Sequence, residues 1–231
     1  MTNIKENLYF IVEHSKNTTI VGSDYPQAYN FIKGYNPRKE NGLFSLYKYR
    51  TTFPDFIPDL DGIKLSGRAK LTDFVSTPFG AWIISPKAKD VLEKYKLCPH
   101  RFYPMSLYVR NKIHEYFFFL IKSDLSDSVD YLKSTFVEYD LHTLTKFQPV
   151  IIKSKKELLE SREKIEEEQG SGRTVWGDKM ILSDKFDKQL DYFKISRIDA
   201  NTYISKKLMT DITDLGLTGW EFMPANNLQV E

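Results

Sequence analysis

The pattern that most constrains this chain is a strand–helix–strand unit that occurs twice, 120 positions apart. In the first copy the apolar run Ala81-Trp82-Ile83-Ile84 meets Ser85-Pro86. A serine at the N-cap offers its oxygen to a free backbone N–H of the first turn, and a proline at the first helical position lacks only an N–H that has no partner there. Ala88, Val91, Leu92 and Tyr95 then recur at helical spacing, Leu97-Cys98-Pro99 stops the helix, and His100 to Tyr103 runs as extended chain into Pro104. In the second copy Thr202-Tyr203-Ile204 is the strand, Ser205 the cap, and Leu208, Met209, Ile212 and Leu215 the apolar face. Gly216 stands where a left-handed helix end is needed, and Trp220 to Met223 runs into Pro224. Without a gap, Ser76 aligns with Ser196, Ile84 with Ile204, Ser85 with Ser205, Lys87 with Lys207, Leu97 with Leu217, Phe102 with Phe222 and Pro104 with Pro224. Identity elsewhere is low, so chance likeness of two similar units stands as the alternative to duplication. Two copies are too few for a solenoid, and they are expected to pack on each other. The expected fold class is α+β: a mixed sheet with a duplicated strand–helix–strand unit and helices packed on the sheet.

The rest of the chain supplies further strands: Leu8 to Glu13, apolar enough to be buried on both faces; Gly42 to Tyr49; Lys70 to Ser76; Glu115 to Lys122; Thr135 to Tyr139; Pro149 to Ile152; and Met180 to Leu182. Short helices are expected from Asp24 to Ile32 and from Asp184 to Tyr192. Ser154 precedes a charged helix, Lys155 to Gln169, whose thin apolar face (Leu158, Leu159, Ile165) predicts a surface element projecting from the body. Gly170-Ser171-Gly172 ends it, and Arg173 to Asp178 reads as a loop holding Trp176. The expected organisation is residues 1–69 as a strand-rich variable region, 70–152 as the first unit, 153–178 as an inserted helix and loop, and 179–231 as the second unit. Together these form one compact domain or two closely packed lobes.

Chemistry is sparse. The 231 residues carry 33 Lys and Arg against 31 Asp and Glu, a formal charge of +2 that gives no global field for nucleic acid or anionic lipid. The single cysteine, Cys98, excludes an intrachain disulfide and a thiolate metal cluster. The four histidines have no metal-ligand spacing. The loop Gly170 to Thr174 lacks the strand before it and the Lys-Ser/Thr ending of a phosphate loop. Asp55, Asp59 and Asp61, and again Asp124, Asp127 and Asp130, read as solvated turn acids, with a hard-cation site as the sharper alternative. No catalytic, cofactor-binding or metal-binding residue is assigned, and no cofactor is expected. The chain has neither a secretory leader pattern nor an apolar run near the ~20 residues a bilayer demands, so a cytoplasmic location is expected. Aromatics make 14% of the residues, read as a sheet core or as an exposed binding surface.

The stretches Lys70 to Ser76, Trp82 to Ser85, Val91-Leu92, Phe102-Tyr103-Pro104, Tyr116 to Ile121, Lys133 to Phe136 and the closing Gly216-Leu217-Thr218-Gly219-Trp220-Glu221-Phe222-Met223-Pro224 resemble a bacterial family. It is the group of immunity proteins of polymorphic toxin systems first described as a domain of unknown function and named after a myxobacterial member. The resemblance covers roughly residues 70–225, and the first 65 residues and the segment 153–178 lie outside its motifs. It implies a non-enzymatic cytoplasmic protein whose partner is a cognate protein toxin, the C-terminal domain of an effector. It implies no nucleic-acid or membrane partner and leaves the oligomeric state open. A general adaptor is the competing class, and an enzyme of unrecognised type the third. For toxin contact the candidates are Trp176 and the neighbouring acids Glu163, Glu166, Glu167 and Glu168, which would mimic phosphates against a nuclease. Trp176 either anchors a partner or folds back onto the core.

Overall fold

The computed structural model describes residues 8–49 and 52–231. In chain order these form β1 (Tyr9–His14), α1 (Thr18–Val21), β2 (Ala28–Phe31), β3 (Ile63–Leu65), β4 (Phe74–Ser76), β5 (Trp82–Ile84), α2 (Pro86–Leu92), β6 (His100–Val109), β7 (Lys112–Ile121), β8 (Thr135–Asp140), β9 (Thr145–Val150), α3 (Lys155–Gln169), β10 (Arg173–Leu182), β11 (Tyr192–Lys194), β12 (Thr202–Ser205), α4 (Lys206–Asp214), β13 (Trp220–Pro224) and β14 (Leu228–Val230). The fold is α+β. Three sheets have the strand orders β11-β12-β1-β13, β14-β10-β8-β9 and β2-β3-β6-β7-β5-β4.

The two strand–helix–strand units have the same topology. Around α2, β5 and β6 flank β7, both antiparallel to it, and β4 pairs outside β5. Around α4, β12 and β13 flank β1, both antiparallel to it, and β11 pairs outside β12. The middle strand differs in origin. β7 follows β6 through a hairpin, whereas β1 arrives from the other end of the chain. β1 therefore completes the C-terminal unit, not an N-terminal one. The segment boundary expected at 178/179 falls inside β10.

The capping prediction is met in both copies. Ser85 Oγ accepts from Ala88 N–H at 3.1 Å and Ser205 Oγ from Leu208 N–H at 3.2 Å. Each cap is itself held by an aspartate in the preceding strand region: Ser85 donates to Asp73 (2.8 Å) and Ser205 to Asp191 (2.6 Å). The second oxygen of each aspartate reaches across to the other unit. Asp73 accepts from the backbone N–H and hydroxyl of Thr218, in the loop after α4 (3.0 and 3.2 Å). Asp191 accepts from the N–H of Lys96, in the loop after α2 (3.1 Å). The lysines match as well: Lys87 Nζ donates to Leu215 O, and Lys207 Nζ lies 5.0 Å from the centre of the Tyr95 ring. These reciprocal contacts relate the units by an approximate twofold axis and are the structural case for duplication.

Between the units lies an aromatic core of Val12, Phe74, Ile84, Leu92, Phe119, Tyr192, Ile204, Leu208 and Trp220. Phe74 stacks on Trp220 at 3.7 Å between ring centres. That closeness requires Gly219. It sits at φ +109, and a Cβ there would lie 2.1 Å from the Phe74 carbonyl oxygen. Gly216, at φ +64, ends α4 as expected. β1 is buried on both sides, as its unbroken apolar run implies. Phe10 and Val12 face the inter-unit core, while Tyr9 and Ile11 face a second core with Phe193, Tyr203, Val175 and Leu158.

Several local expectations fail for identifiable reasons. Gly42 to Tyr49 is not a strand. Leu43–Lys48 is a 3₁₀ helix that buries Leu43 and Leu46, three positions apart as its period requires and not two as in a strand. The expected helix over Asp24 to Ile32 is a turn leading into β2, and Asp184 to Asp191 is a run of turns rather than a helix, with Tyr192 opening β11. Arg173 to Asp178 is not a loop but the first half of β10, where Arg-Thr-Val-Trp outweighs the flanking glycines. Ser154 does cap α3. Ser154 Oγ accepts from Glu157 N–H, and the Glu157 carboxylate accepts from the N–H of Lys153, one residue before the cap, a shifted form of the capping box. It does not project: Leu158 is buried, and Arg162 donates twice to Val175 O in β10 (3.0 and 2.8 Å).

Candidate functional site

β8 and β9 form a hairpin at the edge of the β14-β10-β8-β9 sheet, and among the described residues β9 has a strand neighbour on one side only. The alternation of β10 separates its side chains. Val175 points into the core with Leu158 of α3, and Trp176 points to the opposite face. Trp176 is half-buried and stacks on Tyr139 of β8, ring centres 5.1 Å apart and planes 22° from parallel. Lys146 of β9 and Asp178 of β10 form an ion pair at 2.6 Å.

On the other face Arg173 organises the hairpin. Its guanidinium lies 3.6 Å from the centre of the Phe147 ring and pairs with Glu138 (3.1 Å) and Asp140 (3.3 Å). Glu138 is buried and also accepts from Gln148 (3.1 Å). A buried carboxylate is tolerated because each oxygen has a donor. Burying the Arg162 guanidinium lowers its pKa, with Tyr131 opposing the shift.

Four large apolar side chains are left exposed on and beside this hairpin: Leu141 (47%), Leu144 (71%), Phe147 (43%) and Ile151 (83%). Leu144 also holds a left-handed backbone, φ +56, rare for a side chain larger than Asn or Asp. A strained residue that presents a leucine to solvent points to use rather than to packing. Sequence reading missed this group because Leu141 and Leu144 lie in the turn and Ile151 just past β9, where no periodicity reports which way a side chain faces. Only the polar, turn-like Asp140 to Thr143 flanking them hints at a hairpin tip.

Of the predicted contact residues, Trp176 lies in a strand and makes its ring contact with Tyr139. Glu163, Glu166, Glu167 and Glu168 are exposed on α3, where Glu168 pairs with Lys164 at 3.9 Å. α3 packs with the Val175 side of β10, so the structure places Trp176 and the acidic row on different surfaces.

The loop aspartates are engaged by their own turns, by a strand N–H or by a lysine. Asp124 accepts from Ser126, Asp130 from the N–H groups of Leu132 and Lys133, Asp61 from Ser106 N–H, and Asp59 pairs with Lys39. Among the described residues no group of three His, Cys, Asp or Glu side chains is placed to hold a metal ion. Cys98 is 1% exposed, and burial pushes its thiol up to about 11. No helix among the described residues is long and apolar enough to cross a membrane. No protein-family model matches the chain, and no curated protein matches it.

Proposed function

We propose that this chain is an immunity protein that binds and neutralises the toxin domain of a cognate effector in the cytoplasm of the producing bacterium, without chemistry of its own. The observation that carries the reading is the β8–β9 hairpin: an open sheet edge bearing Leu141, Leu144, Phe147 and Ile151 in solvent, with Leu144 in a costly backbone conformation. An open edge offers main-chain hydrogen bonds to a partner strand, and exposed apolar anchors provide most of the energy of a standard interface of about 1,200–2,000 Å². Pro149 in β9 removes one donor and discourages indiscriminate edge pairing. The sequence resemblance adds the partner class, and its most specific motif has a structural rather than a contact role. Gly216 ends α4, Thr218 binds Asp73, Gly219 allows the close approach, and Trp220 stacks on Phe74. Partner choice in this reading lies outside that motif, on the hairpin and α3.

The test is co-expression with the effector's toxin domain in a susceptible host. The intact chain restores growth and co-purifies with the toxin, and Leu144→Asp with Phe147→Asp abolishes both while the thermal unfolding of the purified variant stays near wild type. Persistent toxicity with no complex refutes the proposal. Recovery of unrelated partners, but no toxin, from a pull-down makes the chain an adaptor.

A further inference from the structure

A cleft of about 640 Å³ opens where the two units meet. Its walls are the two equivalent hairpin turns, Ser76 to Trp82 between β4 and β5 and Lys194 to Thr202 between β11 and β12, and its floor is the end of β1 from Ile11 to Lys16. The rows of side chains that build the inter-unit core run into this opening. On β1 the row is Phe10, Val12, then His14; on β11 it is Tyr192, then Lys194; on β5 it is Ile84, then Trp82. The core is apolar until its last position, where it ends in an imidazole and an ammonium.

Those two groups are poorly matched to their surroundings. Lys194 is half-buried in the cleft wall, and no hydrogen bond or ion pair engages its ammonium among the described residues. Burial lowers its pKa, with Cys98 and Asp199 opposing the shift. His14 Nδ1 is buried with no hydrogen-bond partner, while the ring lies 4.6 Å from that of Tyr25 at the rim. The nearby anions are already engaged. Glu13 pairs with Lys16 at 3.2 Å, Glu221 accepts from Ser15 at 2.7 Å, and Asp199 is held by Tyr203 and Asn201. The Cys98 thiol is kept protonated by burial. Lys194 is thus the one ammonium of the cleft wall left for a ligand. A half-buried charge without a counter-ion carries a desolvation cost, and an anion placed beside it offsets that cost. The size suits a small molecule, and lobe junctions are where such sites occur.

We infer that the inter-unit cleft is a binding site for a small organic anion, its acid group on Lys194 and its planar body between Trp82 and the His14–Tyr25 pair. The inference stands apart from toxin binding, since it draws on neither the hairpin nor α3.

The test uses the full chain and two probes, benzoate and the larger indole-3-acetate, with benzamide and indole-3-acetamide as uncharged counterparts. Isothermal titration and thermal shift should show saturable binding of an acid, weakened about tenfold or more for its amide, as expected for a hydrogen bond to a charged group. Lys194→Met should lose the acid by a similar factor while keeping its near-ultraviolet dichroism, and Trp82 fluorescence should respond to ligand in the parent only. Lys156→Met, on α3 and outside the cleft, should bind as the parent does. If neither acid binds saturably at millimolar concentration, if acid and amide bind alike, or if Lys194→Met binds as well as the parent, the inference is overturned.

Discussion

At the scale of single residues, three positions combine conformation and chemistry in ways a substitution can read. Gly219 sets the spacing of the two units. Gly219→Ala places a methyl group against the Phe74 carbonyl in a backbone region closed to L side chains. The expected loss is about 2–4 kcal/mol, read as a lower denaturant midpoint; an unchanged midpoint contradicts the close packing of Phe74 on Trp220. Leu144 is the opposite case. Leu144→Asn suits the left-handed backbone and should stabilise the hairpin by about 0.5–1 kcal/mol, yet weaken partner binding, because strain there is kept for contact. A variant that gains stability and still protects fully would remove the hairpin from the interface.

Asp199 gives a pH dependence with a definite sign. Burial raises its pKa to about 6, with Tyr203 and Asn201 hydrogen bonds opposing, against an ordinary value of 3.8. The native state holds this proton to higher pH than the unfolded chain does. Its contribution to stability is therefore full below about 3.8 and lost as pH rises through about 6. Asp199→Asn should gain stability relative to the parent between pH 4 and pH 7. Equal differences from the parent at both pH values would contradict the shift.

At the scale of elements, the unusual partnership is that of β1 with β12 and β13. Six residues from one end of the chain fill the middle of a sheet built at the other. Without β1, β12 and β13 lose their shared neighbour, and Phe10 and Val12 leave the inter-unit core. A chain starting at Ser15 should therefore lose near-ultraviolet dichroism and aggregate, and adding a peptide of residues 8–14 in trans should restore part of the signal. A soluble, cooperatively folding truncation would show that the C-terminal unit closes by other means.

For the whole molecule, the paired clasps predict unity of folding. Asp73 holds the loop after α4 and Asp191 the loop after α2, so neither unit completes its helix ends without the other. Unfolding followed by tryptophan fluorescence, which reports Trp82 and Trp220 at the junction and Trp176 in the outer sheet, should coincide with far-ultraviolet dichroism in one transition. Asp73→Ala and Asp191→Ala should each cost about 2–3 kcal/mol. Two separated transitions in the parent would mean that the units are independent.

Much of the skeleton was legible from local chemistry. Ser85-Pro86, Ser205, Ser154 and Gly216 act through atoms one turn away, so their roles survive without knowledge of the fold. The apolar rows of α2 and α4 are set by helical period, and the recurrence of the unit was visible in boundary residues. What the tertiary structure decided depends on groups distant in the chain. That β1 joins the C-terminal unit, that Trp176 stacks on Tyr139 rather than on the core or the acidic row, and that Leu144 stands in solvent all follow from strand pairing. The cleft likewise arises only when two turns 120 positions apart meet over β1. Periodicity reports which residues share a face. Only long-range pairing, whose energy depends on three-dimensional closure, reports what that face meets.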